Sequence, residues 1–372
     1  QQKHQQQKHQ QRQQPKEEDM CRIAGYIGNK ATRKVATILR GLLVAEDRSN
    51  PHGTGIVVRD SKSPHKSHIS KRGIRGRSYL VQGYADFLWE RQFSMALLHV
   101  RYMTTGEQSD RCSHPFGFRV KGHWHFGMHN GVFSDALCTR MSEEFGCSKS
   151  NVDSETFFWA LQALQNGGKG LEESIQTLTG FIGSEGAYAF AYMTTDSVYL
   201  WRSEGRPLSV FDLRESNLGR WFCSTPEMFK KGLQIAGVTG LQGGSSFDVK
   251  PFRLYRVGHK TTPALEVEAV CDLPKPLPPP KPEKLVTPAS SWRDHGVPSG
   301  VQPSLWEDDA PEGSEEDLIE YEFPSDLTNS ALNRKIHEVS RACEYDTLYS
   351  DYLAELLYER EMRKWKGGKK HA

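Results

Sequence analysis

The chain has 372 residues and a formal net charge of +2, from 48 Lys and Arg against 46 Asp and Glu, which excludes a strongly polybasic nucleic-acid binder. With 37% hydrophobic and 25% charged residues, part of the chain has too little apolar content to build a core. The apolar runs are too short for a membrane span, no secretory h-region follows the N-terminus, and seven cysteines at irregular spacing make no disulfide framework, so a cytoplasmic location is expected.

In chain order, residues 1–20 are a Gln tract with interleaved Lys, His and Arg, and are expected to be disordered. The first methionine is Met20, so 1–19 read as upstream sequence or as a pro-segment. Residues 21–258 read as one globular domain. Strands are expected at 22–27, 53–59, 94–102, 123–129, 187–193, 198–202 and 208–211. Helices are expected at 32–45, 154–165, 171–178 and 226–235, with Asp153 as an N-cap and Gly167-Gly168 as a stop. That alternation predicts a mixed α/β layered domain. Residues 259–325 read as a linker: 273–282 is Pro-rich and extended, and 307–322 holds nine acidic residues and no Lys or Arg. Residues 326–366 turn helical, with Leu332, Ile336, Val339 and Cys343 at helical spacing, then Leu348, Tyr352 and Leu356. This segment either packs back on the domain or binds a partner.

Cys21 directly follows Met20. If translation starts at Met20, methionine removal leaves Cys21 with a free α-amine. One residue then holds a thiol of pKa about 8.5 and a base of pKa about 7.7–8.0. Read alone, a cysteine at a strand start is a small packing residue. Read alone, Arg101 is a structural arginine at a strand end, Asp153 a helix cap, and Asn130-Gly131 a hairpin turn. His123, His125 and His129 at period two, near His99, His114 and Cys112, raise a zinc site. No CxxC or HExxH pattern accompanies them, and no metal is expected.

The order of the segments changes the first four of these readings. Met20-Cys21-Arg22-Ile23-Ala24-Gly25-Tyr26-Ile27-Gly28 is followed by His52-Gly53-Thr54-Gly55-Ile56, then by residues 99–107, His114-Pro115, His129-Asn130-Gly131 and Asp153-Ser154-Glu155. Residues 184–190 and Phe222-Cys223-Ser224-Thr225-Pro226 complete the set. In that order it resembles the class II (N-terminal nucleophile) glutamine amidotransferases, across about 21–258. The resemblance implies an α+β fold, the four-layer αββα sandwich of the Ntn-hydrolase type. It implies Cys21 as nucleophile, with the Asn130 side chain and the Gly131 backbone N–H as oxyanion hole. It further implies Arg101 on the glutamine carboxylate, Asp153 on its ammonium, and the backbone around Thr104 and Thr105 lining the pocket. The reaction would be hydrolysis of glutamine to glutamate and ammonia through a Cys21 thioester, with no cofactor.

Residues 259–372 are too short and irregular for the usual ammonia-using domains, so a separate synthase is the expected partner; no nucleic-acid or membrane partner is expected, and the sequence leaves the oligomeric state open. Three departures stand out: Arg22 where Gly is usual, Tyr102 and Thr105 where Trp and His are common, and residues 1–20, which if retained would remove the amine. The alternatives are a γ-glutamyl amide hydrolase of the same fold and a catalytically inactive scaffold.

Overall fold

The structure is a computed structural model, and it describes residues 21–47, 49–104, 106–239, 244–258, 267–276, 328–343, 360 and 363. Thr105, most of the Pro-rich and acidic stretch, and the helical spacing at 348–356 lie outside the described residues.

The fold is mixed α/β, with two antiparallel sheets. The site rests on β1 (Arg22–Ile27), β2 (Gly53–Asp60), β4 (Phe93–Arg101), β6 (His123–Val132) and β7 (Ala187–Met193). Among the described residues the strands away from the site are β3 (Ser67–Arg72), β5 (Phe116–Val120), β8 (Ser197–Arg202), β9 (Ser209–Asp212), β10 (Arg220–Cys223), β11 (Ser245–Asp248), β12 (Arg253–Gly258) and β13 (Glu268–Asp272); the first sheet runs β11-β9-β10-β1-β4-β2-β3 and the second β13-β12-β8-β7-β6-β5. The helices beside the first sheet are α1 (Arg33–Ala45), α2 (Gly76–Val81), α3 (Phe87–Glu90) and α7 (Pro226–Ile235). Those beside the second are α4 (Asp135–Phe145), α5 (Asp153–Asn166) and α6 (Leu171–Ile182). Thr32 caps α1 by accepting from Val35 N, and Thr225 caps α7 by accepting from Met228 N, with Pro226 where its missing N–H costs nothing.

Period-two alternation sorts each strand onto two cores. On β1, Ala24 and Tyr26 join a cluster with Leu39, Leu42 and Met228 of the flanking helices, while Ile23 and Ile27 face the other way. There they meet Val57, Met95 and Leu97 of the same sheet and Phe126, Met128, Ala189 and Leu200 of the second. A third cluster joins Phe190 and Trp201 to Phe157, Leu161 and Leu178 of α5 and α6.

At one end of the inter-sheet core sits Arg59, fully buried on β2. Its guanidinium donates to Ser67 Oγ at 2.7 Å, and reaches across to Trp124 O at 2.8 Å and Thr194 O at 2.9 Å on the second sheet. A buried cation held by carbonyls is a clamp whose removal strands its acceptors. Arg59→Leu is expected to destabilise the fold by about 2–4 kcal/mol, since each buried carbonyl without a donor costs about 1–3 kcal/mol. Urea unfolding measures this; a loss under about 0.5 kcal/mol would show that the carbonyls need no clamp.

Two expectations change here. Residues 268–272, read as linker, form β13 (Glu268–Asp272) along β12 (Arg253–Gly258), and Leu273 is buried against the α5–α6 cluster. The expected C-terminal helix is present in part as α8 (Asn329–Cys343), with Leu332 and Ile336 buried. Among the described residues, no helix is long and apolar enough to cross a membrane.

Candidate active site

The opposite end of the inter-sheet core is polar, and the same alternation puts it there. Cys21 stands one residue before β1, in line with the inward-facing Ile23. His99 and Arg101 continue the inward row of Met95 and Leu97 on β4; Asn130 continues the row of Phe126 and Met128 on β6. The antiparallel register Arg22↔Val100 sets Cys21 beside the end of β4, and its thiol donates to Tyr102 O at 3.2 Å. His99, opposite Ile23, bridges the sheets from Nε2 to His129 O at 3.2 Å, one residue from Asn130.

Asn130 is fully buried, and neither its Oδ1 nor its Nδ2 has a hydrogen-bond partner. Such a group costs stability unless something else fills it. Gly131 pairs with Tyr188 of β7, and a Cβ there would overlap Ala187 O and His129 Nε2, so only glycine fits. The Asn-Gly pair thus lies inside β6, not in the hairpin turn that its local preference suggests.

Asp153 is the first residue of α5 but not its cap. Val152 holds the cap position, without a side-chain bond. The Asp153 carboxylate turns back instead: Oδ2 accepts from Phe133 N at 2.8 Å, and Oδ1 from Ser154 Oγ at 3.3 Å. Arg101 is 3% exposed, and its Nη1 donates to Glu107 O at 2.7 Å. Gly106 closes this loop with φ of 73°, and a Cβ there would stand 3.2 Å from Asn151 O and 3.4 Å from Arg101 Nη2. Thr104 is exposed on the loop after β4, and Thr105 is outside the described residues.

Burial dominates the electrostatics. It pushes the Cys21 thiol up to about 11, against the pull of Arg101 and with the added push of Asp153. Both charges are therefore within electrostatic reach of the sulfur. Burial likewise lowers His99 to about 3, His129 to about 3 and His114 well below its ordinary value, so these rings are neutral. His99 stacks on His114 at 4.0 Å, and His129 Nδ1 lies 2.9 Å from Ser154 Oγ. His125 meets Tyr192 Oη at 2.6 Å instead. Among the described residues, no group of three or more His, Cys, Asp or Glu is placed to hold a metal ion.

Two arginines join the site without a sequence signal of their role. Arg22, 7% exposed, donates to Cys21 O at 3.5 Å. Arg206, on the loop after β8 (Ser197–Arg202), has a buried Nε and interacts electrostatically with both Cys21 and His129. Ser203 anchors that loop to Tyr188, the strand partner of Gly131. Nothing in the spacing between 21 and 206 predicts the approach; only the β6–β7–β8 pairing makes it.

No protein-family model matches this chain, and no curated protein matches it. Solved structures do. The chain is similar to a glutamine phosphoribosylpyrophosphate amidotransferase from B. subtilis, solved with ADP and GMP, at 19% identity and a TM-score of 0.49. That match covers 64% of this chain and 47% of the other, so the chain spans about half of that protein's length. It is also similar to a glutamine aminotransferase class-II domain protein from Silicibacter pomeroyi, at 17% identity, a TM-score of 0.40, and coverage of 64% and 95%. A predicted glutamine amidotransferase from Pseudomonas aeruginosa matches at 12% identity, a TM-score of 0.35, and coverage of 64% and 92%. Overlaps this loose carry no chemical argument; of these three solved proteins that this chain resembles, two are glutamine amidotransferases and one a glutamine aminotransferase class-II domain protein.

Proposed function

We propose that residues 21–276 are a glutaminase domain of the amidotransferase type, in which Cys21, once N-terminal, attacks the side-chain amide of glutamine. The three apolar clusters are what a four-layer αββα stack requires. The observation that carries the reading is the Asn130 amide, buried without a partner on the sheet face opposite Cys21.

The mechanism follows from charge. Attack of sulfur on the amide carbon turns the carbonyl oxygen into an oxyanion. The Asn130 Nδ2–H and the Gly131 N–H stabilise it where water is excluded. Arg101 holds the α-carboxylate and Asp153 the α-ammonium, so the amide is presented to the sulfur in one pose. The amine of Cys21 takes the thiol proton and returns it to the leaving nitrogen. Ammonia departs, a glutamyl thioester remains, and water hydrolyses it to glutamate. The backbone at Thr104 lines the pocket, and the ammonia passes to a separate synthase.

Asn130→Ala is expected to cut kcat by about 10²–10³, the usual cost of one oxyanion donor. It breaks no hydrogen bond among the described residues, so the melting temperature is expected to hold or rise. Ammonia release and thermal unfolding of the same preparation test this. Equal losses of activity and stability would instead make Asn130 structural.

A further inference from the structure

A cleft of about 580 Å³ opens beside the proposed glutamine site, lined by Gly106, Glu107, Phe133, Asp135, Lys149 and Asn151, among others. Asp153 borders it. The cleft therefore continues outward from the position where a substrate's α-nitrogen would lie. It also abuts Arg101, whose Nη1 donates to Glu107 O and whose Nη2 lies beside Gly106, while Cys21 and Asn130 at the reacting end lie outside it. Free glutamine has ten non-hydrogen atoms, which fill roughly 300 Å³ even at the ~30 Å³ that a water occupies in the liquid. Its reacting end would also lie outside the cleft.

We infer that the site accepts glutamine whose α-nitrogen carries an acyl group, as at the C-terminus of a short peptide, with the preceding residue lying in this cleft. The inference rests on the glutaminase reading above. An acylated nitrogen keeps one N–H, which can still donate to the Asp153 carboxylate. The α-carboxylate stays free for Arg101. Gly106 keeps the wall open, since its left-handed backbone disfavours a side chain and a Cβ there would stand only 3.2 Å from Asn151 O and Val152.

Charge selects the occupant. Glu107, Asp135 and Asp153 are three acidic residues of the lining against Lys149, which pairs with Asp135 at 2.7 Å, and Arg101, which stands behind the Gly106–Glu107 wall and leaves the balance acidic. A neutral or basic preceding residue fits this field and an acidic one is repelled. The chemistry balances with water alone. The C–N bond of the side-chain amide breaks, ammonia leaves with the thiol proton, and hydrolysis of the thioester leaves a peptide ending in glutamate.

The test compares kcat/KM for free glutamine, Gly-Gln, Lys-Gln and Glu-Gln, using protein whose first residue has been shown to be Cys21. The expected result is a Gly-Gln to glutamine ratio above one, with Lys-Gln at or above Gly-Gln and Glu-Gln at least about tenfold below it. Asn151→Trp, which fills the cleft from an exposed position, is expected to lower the Gly-Gln to glutamine ratio about tenfold. Turnover of glutamine with a ratio below one, no penalty for Glu-Gln, or a ratio unmoved by Asn151→Trp overturns the extension and leaves the glutaminase reading standing. No turnover of any of the four overturns both.

Discussion

A chain whose first residue is Cys21 is expected to release ammonia from glutamine, and the same chain with even one residue ahead of Cys21 is expected to be slower by about 10²–10⁴-fold. The reason lies in the sulfur's surroundings. Burial pushes the thiol up to about 11 in the chain as it stands. At pH 7 that leaves almost no thiolate, so the thiol needs a base at hand. The nearby histidines do not supply one: His99 and His129 are lowered to about 3 by burial, and His99 is committed to His129 O. A free α-amine on Cys21 would be that base, whereas a peptide nitrogen has no proton affinity to offer. Intact mass fixes the first residue, and ammonia release with Cys21→Ala as control gives the rate. Equal rates for the trimmed and extended forms would remove the amine from the mechanism. Activity that survives Cys21→Ala would remove the nucleophile and favour a scaffold.

The second large effect is loss of stability in mild acid. His99, His129 and His125 are lowered to about 3, about 3 and about 4, with burial the first cause in each, and His114 is lowered well below its ordinary value by the same cause. Their folded pKa values lie below the ordinary 6.5 of the unfolded chain. Below pH 6.5 the unfolded chain therefore binds protons that the folded chain refuses, and stability falls as pH falls. The loss runs from about pH 6.5 down to about pH 4, where His125 and then the others begin to take protons in the fold. Each ring contributes up to about 1.4 kcal/mol per pH unit in that window. Together the rings are expected to remove on the order of 5 kcal/mol between pH 7 and 5, comparable to the whole stability of many domains. Urea midpoints at pH 7.5, 6 and 5 measure it, and His125→Gln is expected to flatten the slope by about one proton. A midpoint that stays constant from pH 7.5 to 5 would mean that the rings take protons in the folded state.

The expected strands at 22–27 and 187–193 and the helix at 226–235 have the bounds found, because each carries its own signal: a continuous apolar run, or Pro226 after a capping threonine. The short strands β5 (Phe116–Val120), β10 (Arg220–Cys223) and β11 (Ser245–Asp248), and the helix α4, went unpredicted. Strands of four or five residues have little pattern of their own, and their partners lie far away in sequence.

The chemistry divides in the same way. The sequence by itself determined which residue types stand in which order: Cys21, then Arg101, Asn130-Gly131 and Asp153. The tertiary structure decided what each one faces. Asn-Gly alone favours a turn by local backbone preference, yet β7 pairs with β6 through Asn130↔Ala189 and Gly131↔Tyr188, and that pairing outweighs a preference of about 1 kcal/mol. Asp153 reads alone as a cap, yet the nearness of Phe133 N draws its carboxylate inward. Arg206 and the cleft beyond Asp153 have no counterpart in any spacing. Local propensity acts over a few residues, whereas facing across two sheets is set by register and packing among strands more than a hundred residues apart.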